Sequence, residues 1–266
     1  MLIYVSARGQ VPASGDGLPV VIDSLPAAAE VYVTVSYSPL VYAQPAPPAG
    51  VEAIPGAAGW LGPRELAALA RDPHTSAETR QLVACSLRAI GLLRYRREFR
   101  FHPRTGQELE FGAGGIAGRA PGQDTQTVYP RLDPAVIGMV QHSEKEEILV
   151  ARNRMRPGYF SLIAGYVDVG ESLEHTFERE VWEETGRRVH KITYWGSQPW
   201  PASGSLMVGF SATAAHPDPD PAAATDGELA EIRWVGRDQL LSLPLAAPGS
   251  IAHTMMMEWY ARGTRR

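Results

Sequence analysis

Thiols are almost missing from this chain, in which Cys85 is the one cysteine. An intramolecular disulfide is therefore excluded, as is any metal site built from several thiolates. Cys85 falls within residues 79–95, where Leu82, Ala89 and Leu92 recur at helical spacing, and it is read as a small buried side chain. No long block of consecutive Lys or Arg occurs. With 25 basic against 29 acidic side chains, a formal net charge of −4 and a pI near 6.0, capture of nucleic acid by bulk electrostatics is excluded, and only local basic clusters stay open. No run of about 18 apolar residues is present, as a membrane-spanning helix would need. Residues 1–7 lack the basic and apolar regions of a signal peptide. The expectation is a soluble, cytoplasmic protein with no membrane partner. Internal repeats are also lacking.

What is present is length and apolar content. The 266 residues, 44% hydrophobic, can bury a sizeable core and hold two modest domains. Short alternating runs at residues 2–5, 20–22 and 30–36 predict strands, and the proline-rich stretch 44–50 predicts an exposed connection. Helices are predicted from about Pro63 and about Ser76, completing a small α/β unit over residues 1–97. Residues 98–128 are rich in glycine and poor in apolar residues, and are read as an irregular connector. Order returns over residues 129–266. Strands are expected at 135–140, 148–151, 206–212 and 232–235, with helices at 172–185 and from about 250, and a Pro- and Asp-rich surface loop at 217–227.

One segment carries the chemistry. From Gly165 to Gly186 the fixed residues are Gly165, Glu171, Arg179, Glu180, Glu183, Glu184 and Gly186. On a helical wheel Leu173, Phe177 and Val181 form the apolar stripe, Glu180 lies at its edge, Glu184 lies inside it, and Glu183 sits beside Glu180. A solvated charge run would occupy the opposite face, because burying an unpaired carboxylate costs several kcal/mol. These carboxylates need a cation. Clustered oxygens at i, i+3 and i+4 suit Mg²⁺ or Mn²⁺, which can neutralise a diphosphate and activate water. Ser172 is the expected N-cap and Gly186 the terminator.

These residues match the Nudix box, G-x5-E-x7-R-E-U-x-E-E-x-G-U with U a bulky aliphatic residue. The one departure is Arg187 at the last position, where Val189 can take over the packing. The resemblance implies an α+β Nudix fold, a mixed sheet between helices, preceded by the smaller α/β domain. It also implies catalytic roles for Glu180, Glu183 and Glu184, with Glu184 polarising water and Glu171 and Arg179 holding loop and helix together. Family metal positions map onto Ala164, Glu180, Glu183, Glu184 and Glu228, with Glu231 an alternative to Glu228. Arg152, Arg154 and Arg156 are read as a solvated strand edge rather than phosphate ligands.

A second stretch, Ser197-Gln198-Pro199-Trp200-Pro201-Ala202-Ser203-Gly204-Ser205-Leu206-Met207, resembles the motif S-Q-P-W-P-F-P-x-S-L-M of the NADH pyrophosphatase and NAD-capped RNA hydrolase branch. Two prolines stiffen a loop expected to display an indole and an amide to a base. Residues 129–134, Tyr-Pro-Arg-Leu-Asp-Pro, are similar to the same branch. The substrate positions so implied are Tyr129, Tyr166, Gln198, Pro199, Trp200, Pro201, Ala202, Ser203, Gly204, Ser205 and Ala252. The implied reaction is cleavage of NADH or NAD⁺ to nicotinamide mononucleotide and AMP, or removal of an NAD cap from RNA, by a homodimer. A Nudix hydrolase of ADP-ribose or another nucleoside diphosphate derivative stays open, as does a non-catalytic nucleotide sensor. Two features depart from the branch: Ala202-Ser203 replaces Phe-Pro, and the four-cysteine zinc ribbon is gone. Phe101-His102-Pro103-Arg104-Thr105-Gly106 stands where the first cysteine pair belongs, so no structural zinc is expected. Trp182, pointing away from the apolar stripe, is a candidate contact residue.

Overall fold

The computed structural model describes residues 1–25, 32–122 and 126–263. It divides into two compact units, Met1–Leu132 with Trp200–Gly204, and Asp133–Pro199 with Ser205–Arg266. The glycine-rich connector thus counts with the first unit.

In that unit β1 (Leu2–Val5), β2 (Val11–Ala13), β3 (Val33–Tyr37), β4 (Leu40–Pro45) and β5 (Gly59–Leu61) precede α1 (Pro63–Arg71) and α2 (Ala77–Glu98). A three-stranded sheet in the order β1-β4-β3 pairs β1 with β4 in parallel and β3 with β4 antiparallel. β4 runs into the stretch read as a connection, whereas residues 20–22 make only isolated bridges such as Leu2 to Ile22. Glu30, at the start of the expected third strand, lies outside the described residues. Ser76 caps α2 by accepting from the Thr79 N–H, and Val83, Ile90 and Leu93 of that helix close the core over Ile3, Val33 and Val41. Cys85 is partly buried against this core.

The connector is less irregular than its composition implies. It holds the two-residue strands β6 (Glu110–Phe111) and β7 (Gly118–Arg119), paired antiparallel, and a bridge from Phe101 to Glu108. His102 is buried, with Nδ1 accepting the Arg104 and Thr105 N–H groups at 3.3 Å each. The imidazole therefore closes this turn with its own hydrogen bonds.

The second unit contains β8 (Asp133–Gln141), β9 (Glu147–Asn153), β10 (Ile163–Tyr166), α3 (Leu173–Thr185), β11 (Val189–Trp200, its last residue counting with the first unit), β12 (Ser205–Ala214), β13 (Leu229–Gly236), α4 (Arg237–Leu240) and α5 (Ile251–Gly263). The sheet order is β11-β12-β8-β9-β13, with β10 also on β8. β12 runs parallel to β8 whereas β9 and β10 run antiparallel to it, so the sheet is mixed. Side chains of β8 alternate between faces as a strand requires. Val136 and Val140 join Phe177 and Val181 of α3, while Ile137 and Met139 join Met255, Met256 and Trp259 of α5. The sheet accordingly lies between the two helices. Gly138 permits the close approach of α3, because a Cβ there would overlap the Phe177 ring. Val189 is buried in the α3 core. Arg187 instead donates to the carbonyls of Pro217 and Thr185, which explains how an arginine is tolerated at the aliphatic position of the box. No helix among the described residues is long and apolar enough to cross a membrane.

Candidate active site

The site is built from α3, the loop before it and the end of β10. Ser172 caps α3 by accepting the His175 N–H at 3.2 Å, and Gly186 ends it in the left-handed conformation at φ 66°. Within the helix, Phe177 and Val181 face the sheet, which carries Glu184 inward with them. Glu184 is 5% exposed.

Arg179 organises the other carboxylates. Its Nε donates to Glu171 Oε1 at 2.8 Å, its Nη1 to Glu180 at 2.9 Å and Glu183 at 2.8 Å, and its Nη2 to Glu171 Oε2 and the Tyr166 carbonyl at 3.0 Å each. Only a planar guanidinium offers five donors for such a fan. Hydrogen bonds from Arg179, with others from Thr176 and the Asp168 backbone, hold the Glu171 carboxyl down at about 2. A Cβ at position 165 would displace the Glu180 carboxylate from the place it takes beside β10. Tyr166, the next residue, is exposed and shares a 3.0 Å hydrogen bond with Ser205 Oγ.

Glu184 has a different environment. Its Oε2 is buried and makes no hydrogen bond among the described residues. Burial pushes its carboxyl up to about 8, reinforced by the negative charges of Glu180, Asp226, Glu228 and Glu183. Glu180 is also raised, by burial first and then by Glu183 and Glu228, against the opposing pull of Arg179. Glu228 therefore belongs to the electrostatic environment of this cluster. Glu231 is instead engaged by Arg152 at 3.2 Å and by Arg233. Asp226 was not anticipated from the sequence; its N–H donates to the Glu183 carbonyl at 3.0 Å, tying the Pro- and Asp-rich loop to α3.

An acidic cluster only partly compensated by Arg179, around one orphaned buried oxygen, fits a hard divalent cation, and the donors are all oxygen. Among the described residues no three such side chains form a ready cage, Glu180 and Glu183 being drawn to Arg179. Mg²⁺ does not require a cage, since it is commonly held by one or two carboxylates and keeps several waters. Ala164 lies on β10 opposite Ile137, beside Gly165.

The remaining expected substrate residues belong partly to each unit. Gln198 is buried in β11, where Nε2 donates to the Gly249 carbonyl and Oε1 accepts the Ile251 N–H, both at 2.7 Å. The amide expected on display to a base thus holds the start of α5. Ala252 is buried in that helix, and Pro199 is exposed in β11. Trp200, Pro201, Ala202, Ser203 and Gly204 belong to the first unit. There the Arg64 guanidinium lies 6.0 Å from the Trp200 ring centre, Pro201 is buried, and the Ser203 and Gly204 N–H groups both donate to the Trp200 carbonyl. Ala202 lines a cavity of that unit, and Tyr129, 68% exposed, lines another. Trp182 stacks under Arg188, 4.2 Å from its guanidinium carbon. Arg152 packs on the Phe160 ring at 4.4 Å as well as pairing with Glu231, which ties it to the sheet.

A mixed sheet between two helices, one carrying an arginine-organised set of glutamates behind a glycine strand end, defines a Nudix domain. Residues 131–260 match the NUDIX domain family model, so this part of the chain is a NUDIX domain. Among curated relatives it is 42% identical over 125 residues to a Mycobacterium bovis protein named NAD-capped RNA hydrolase NudC, covering 47% of this chain and 39% of that one. It is 31% identical over 188 residues to NAD-capped RNA hydrolase NUDT12 of Homo sapiens, covering 64% of this chain and 40% of that one. The chain therefore spans about two fifths of the length of these relatives. A solved NUDIX hydrolase from Nitrosomonas europaea shares the fold with a TM-score of 0.51 at 19% identity, covering 63% of this chain and 93% of its own.

Proposed function

We propose that the second unit is a divalent-metal-dependent pyrophosphohydrolase acting on a nicotinamide dinucleotide. The substrate is NADH or NAD⁺, cut to nicotinamide mononucleotide and AMP, or the same group as the cap of an RNA. The observation that carries the metal-dependent chemistry is the buried, unpartnered Oε2 of Glu184 within the field of Glu180, Asp226, Glu228 and Glu183. The nicotinamide assignment draws on the curated relatives, both named NAD-capped RNA hydrolases.

Glu184, with Glu180, Glu183 and Glu228, would hold Mg²⁺ or Mn²⁺, which would supply positive charge against the diphosphate and favour ionisation of water. The protein's own residues do the rest. Arg179 fixes Glu180 and Glu183 relative to the loop through Glu171, Gly165 leaves room for the Glu180 carboxylate, and Glu184 presents a buried, unpartnered carboxylate oxygen. Tyr166, exposed next to Gly165 and steadied by Ser205, offers a ring to one base of the substrate.

The test compares kcat/KM for NADH, NAD⁺, ADP-ribose and NAD-capped RNA with Mn²⁺, identifying products by mass. A nicotinamide dinucleotide or its RNA-linked form should rank first. A tenfold preference for ADP-ribose, about 1.4 kcal/mol in transition-state binding, would transfer the assignment to that substrate. Tight binding of any of them without turnover would establish a sensor instead.

A further inference from the structure

The first unit contains a second feature of functional chemistry, a half-open cavity of about 660 Å³. That volume is within the range of roughly 300–1,000 Å³ usual for small-molecule sites. Its floor is apolar, formed in part by Val5, Ile90 and Leu93, and its wall carries the guanidinium side chains Arg8, Arg94, Arg96, Arg97 and Arg100. Such a concentration stands out in a chain whose net charge is −4.

The arginines differ in their commitments. Arg96 donates to the carbonyls of Tyr32 and Gly115 and lies 4.3 Å from the Phe111 ring centre, so it builds the wall. Arg94 and Arg97 share Glu98, and Arg100 pairs with Glu108 at 3.1 Å. Cations at the C-terminal end of α2 also answer the helix dipole. That accounts for Arg96 and Arg97, but not for Arg8, in the turn after β1, or Arg100, beyond the end of α2. Two separate segments, the turn after β1 and the stretch from the end of α2 to Arg100, thus bring five positive charges to one cavity against the carboxylates of Glu98 and Glu108.

We propose that this cavity binds a nucleoside monophosphate group, with its ring on the apolar floor and its phosphate on the arginine wall. Guanidinium forks match phosphate oxygens in geometry and charge, and an apolar floor beside them suits a base rather than inorganic phosphate alone. The site lies within the first unit and does not depend on the hydrolase reading of the second. Its occupant can be a free mononucleotide or one nucleotide of an RNA strand.

Titration calorimetry on the full chain distinguishes these sources. It is run in EDTA, where the acidic cluster of the second unit repels AMP. AMP should bind and adenosine should not, and the exposed pair Arg8→Ser and Arg100→Ser together should weaken AMP at least tenfold with an unchanged melting temperature. Arg8→Lys with Arg100→Lys should retain most of the affinity. A 5′-phosphorylated hexanucleotide RNA binding no more tightly than AMP identifies the free nucleotide as the ligand. Binding tenfold or more tighter, still lost in the Ser variant, identifies a strand. The proposal is overturned if neither AMP nor the RNA binds, if adenosine binds as well as AMP, or if the Ser variant binds normally.

Discussion

Burying a carboxylate oxygen without a hydrogen bond costs free energy unless a proton or a cation offsets it, and Glu184 Oε2 is such an atom. Glu184→Gln keeps the shape and removes the charge. Turnover with Mn²⁺ should fall at least about 100-fold while the metal-free protein melts no lower than the parent, because the cost of burying a titratable carboxyl beside Glu180, Asp226, Glu228 and Glu183 is removed. Steady-state rates beside a thermal melt decide this, and near-normal turnover would remove Glu184 from the mechanism. The same reasoning separates two glutamates that family position alone left as alternatives. Glu228 contributes to the field on Glu180 and Glu184, whereas Glu231 is held by Arg152 and Arg233. Glu228→Gln should raise the Mn²⁺ concentration needed for half-maximal rate by about tenfold, and Glu231→Gln should leave it within about twofold. The reverse order would exchange their roles.

Elements were legible where their signals are local. α3 could be read from its wheel, its Ser172 cap and its Gly186 terminator, and the structure begins it one residue after that cap and ends it at Thr185. β11 could not, because this end strand of the sheet carries exposed His190, Lys191 and Tyr194, and Lys191 departs from extended geometry at φ 54°. β10 is only four residues long and two of them are Ala164 and Gly165. The hairpin strands of the connector are shorter still, two residues each. The use made of Gln198 depends on Gly249 and Ile251, 51 and 53 residues further on, and no local pattern announces that partnership. Asp226 escaped notice for the same reason, its loop having been read as surface by composition. The Gln198 geometry yields a prediction that distinguishes support from base recognition. Gln198→Ala leaves the Ile251 N–H and the Gly249 carbonyl without their partner, which should cost about 1–3 kcal/mol of stability. Urea denaturation should record that loss with KM for NADH changed by less than about threefold. A large KM increase without loss of stability would return the amide to the substrate.

For the molecule as a whole, the acidic cluster should make stability depend on pH and, on the proposed reading, on metal as well. The Glu184 carboxyl, raised from an ordinary 4.5 to about 8, keeps its proton in the folded protein over a range where the unfolded chain has released it. The unfolded state then binds fewer protons, so the metal-free stability of the second unit should fall as pH rises from about 4.5 toward 8 and level off above. Glu171 acts in the opposite sense. Its carboxyl is depressed to about 2, so its contribution is present above 4.5 and lost as pH falls toward 2. If the proposed cation binds at Glu184, that carboxyl must be ionised, and the cation would have to displace its proton at low pH but not at high pH. Stabilisation by Mn²⁺ should consequently be larger at pH 8.5 than at pH 5.5, since a ligand stabilises in proportion to the logarithm of its concentration over its Kd. Because the chain comprises two units, the measurement follows the metal-sensitive transition rather than assuming a single one. Calorimetric scans in EDTA and in Mn²⁺ across this pH range should show the metal-free transition descending with pH while the metal-bound one changes less. In the Glu184→Gln variant that descent should flatten and the Mn²⁺ increment should shrink at every pH. A metal-free transition that does not move between pH 5.5 and 8.5 in the parent would mean that the Glu184 carboxyl is not held protonated by its surroundings, and the electrostatic basis of the metal site would have to be sought in other carboxylates.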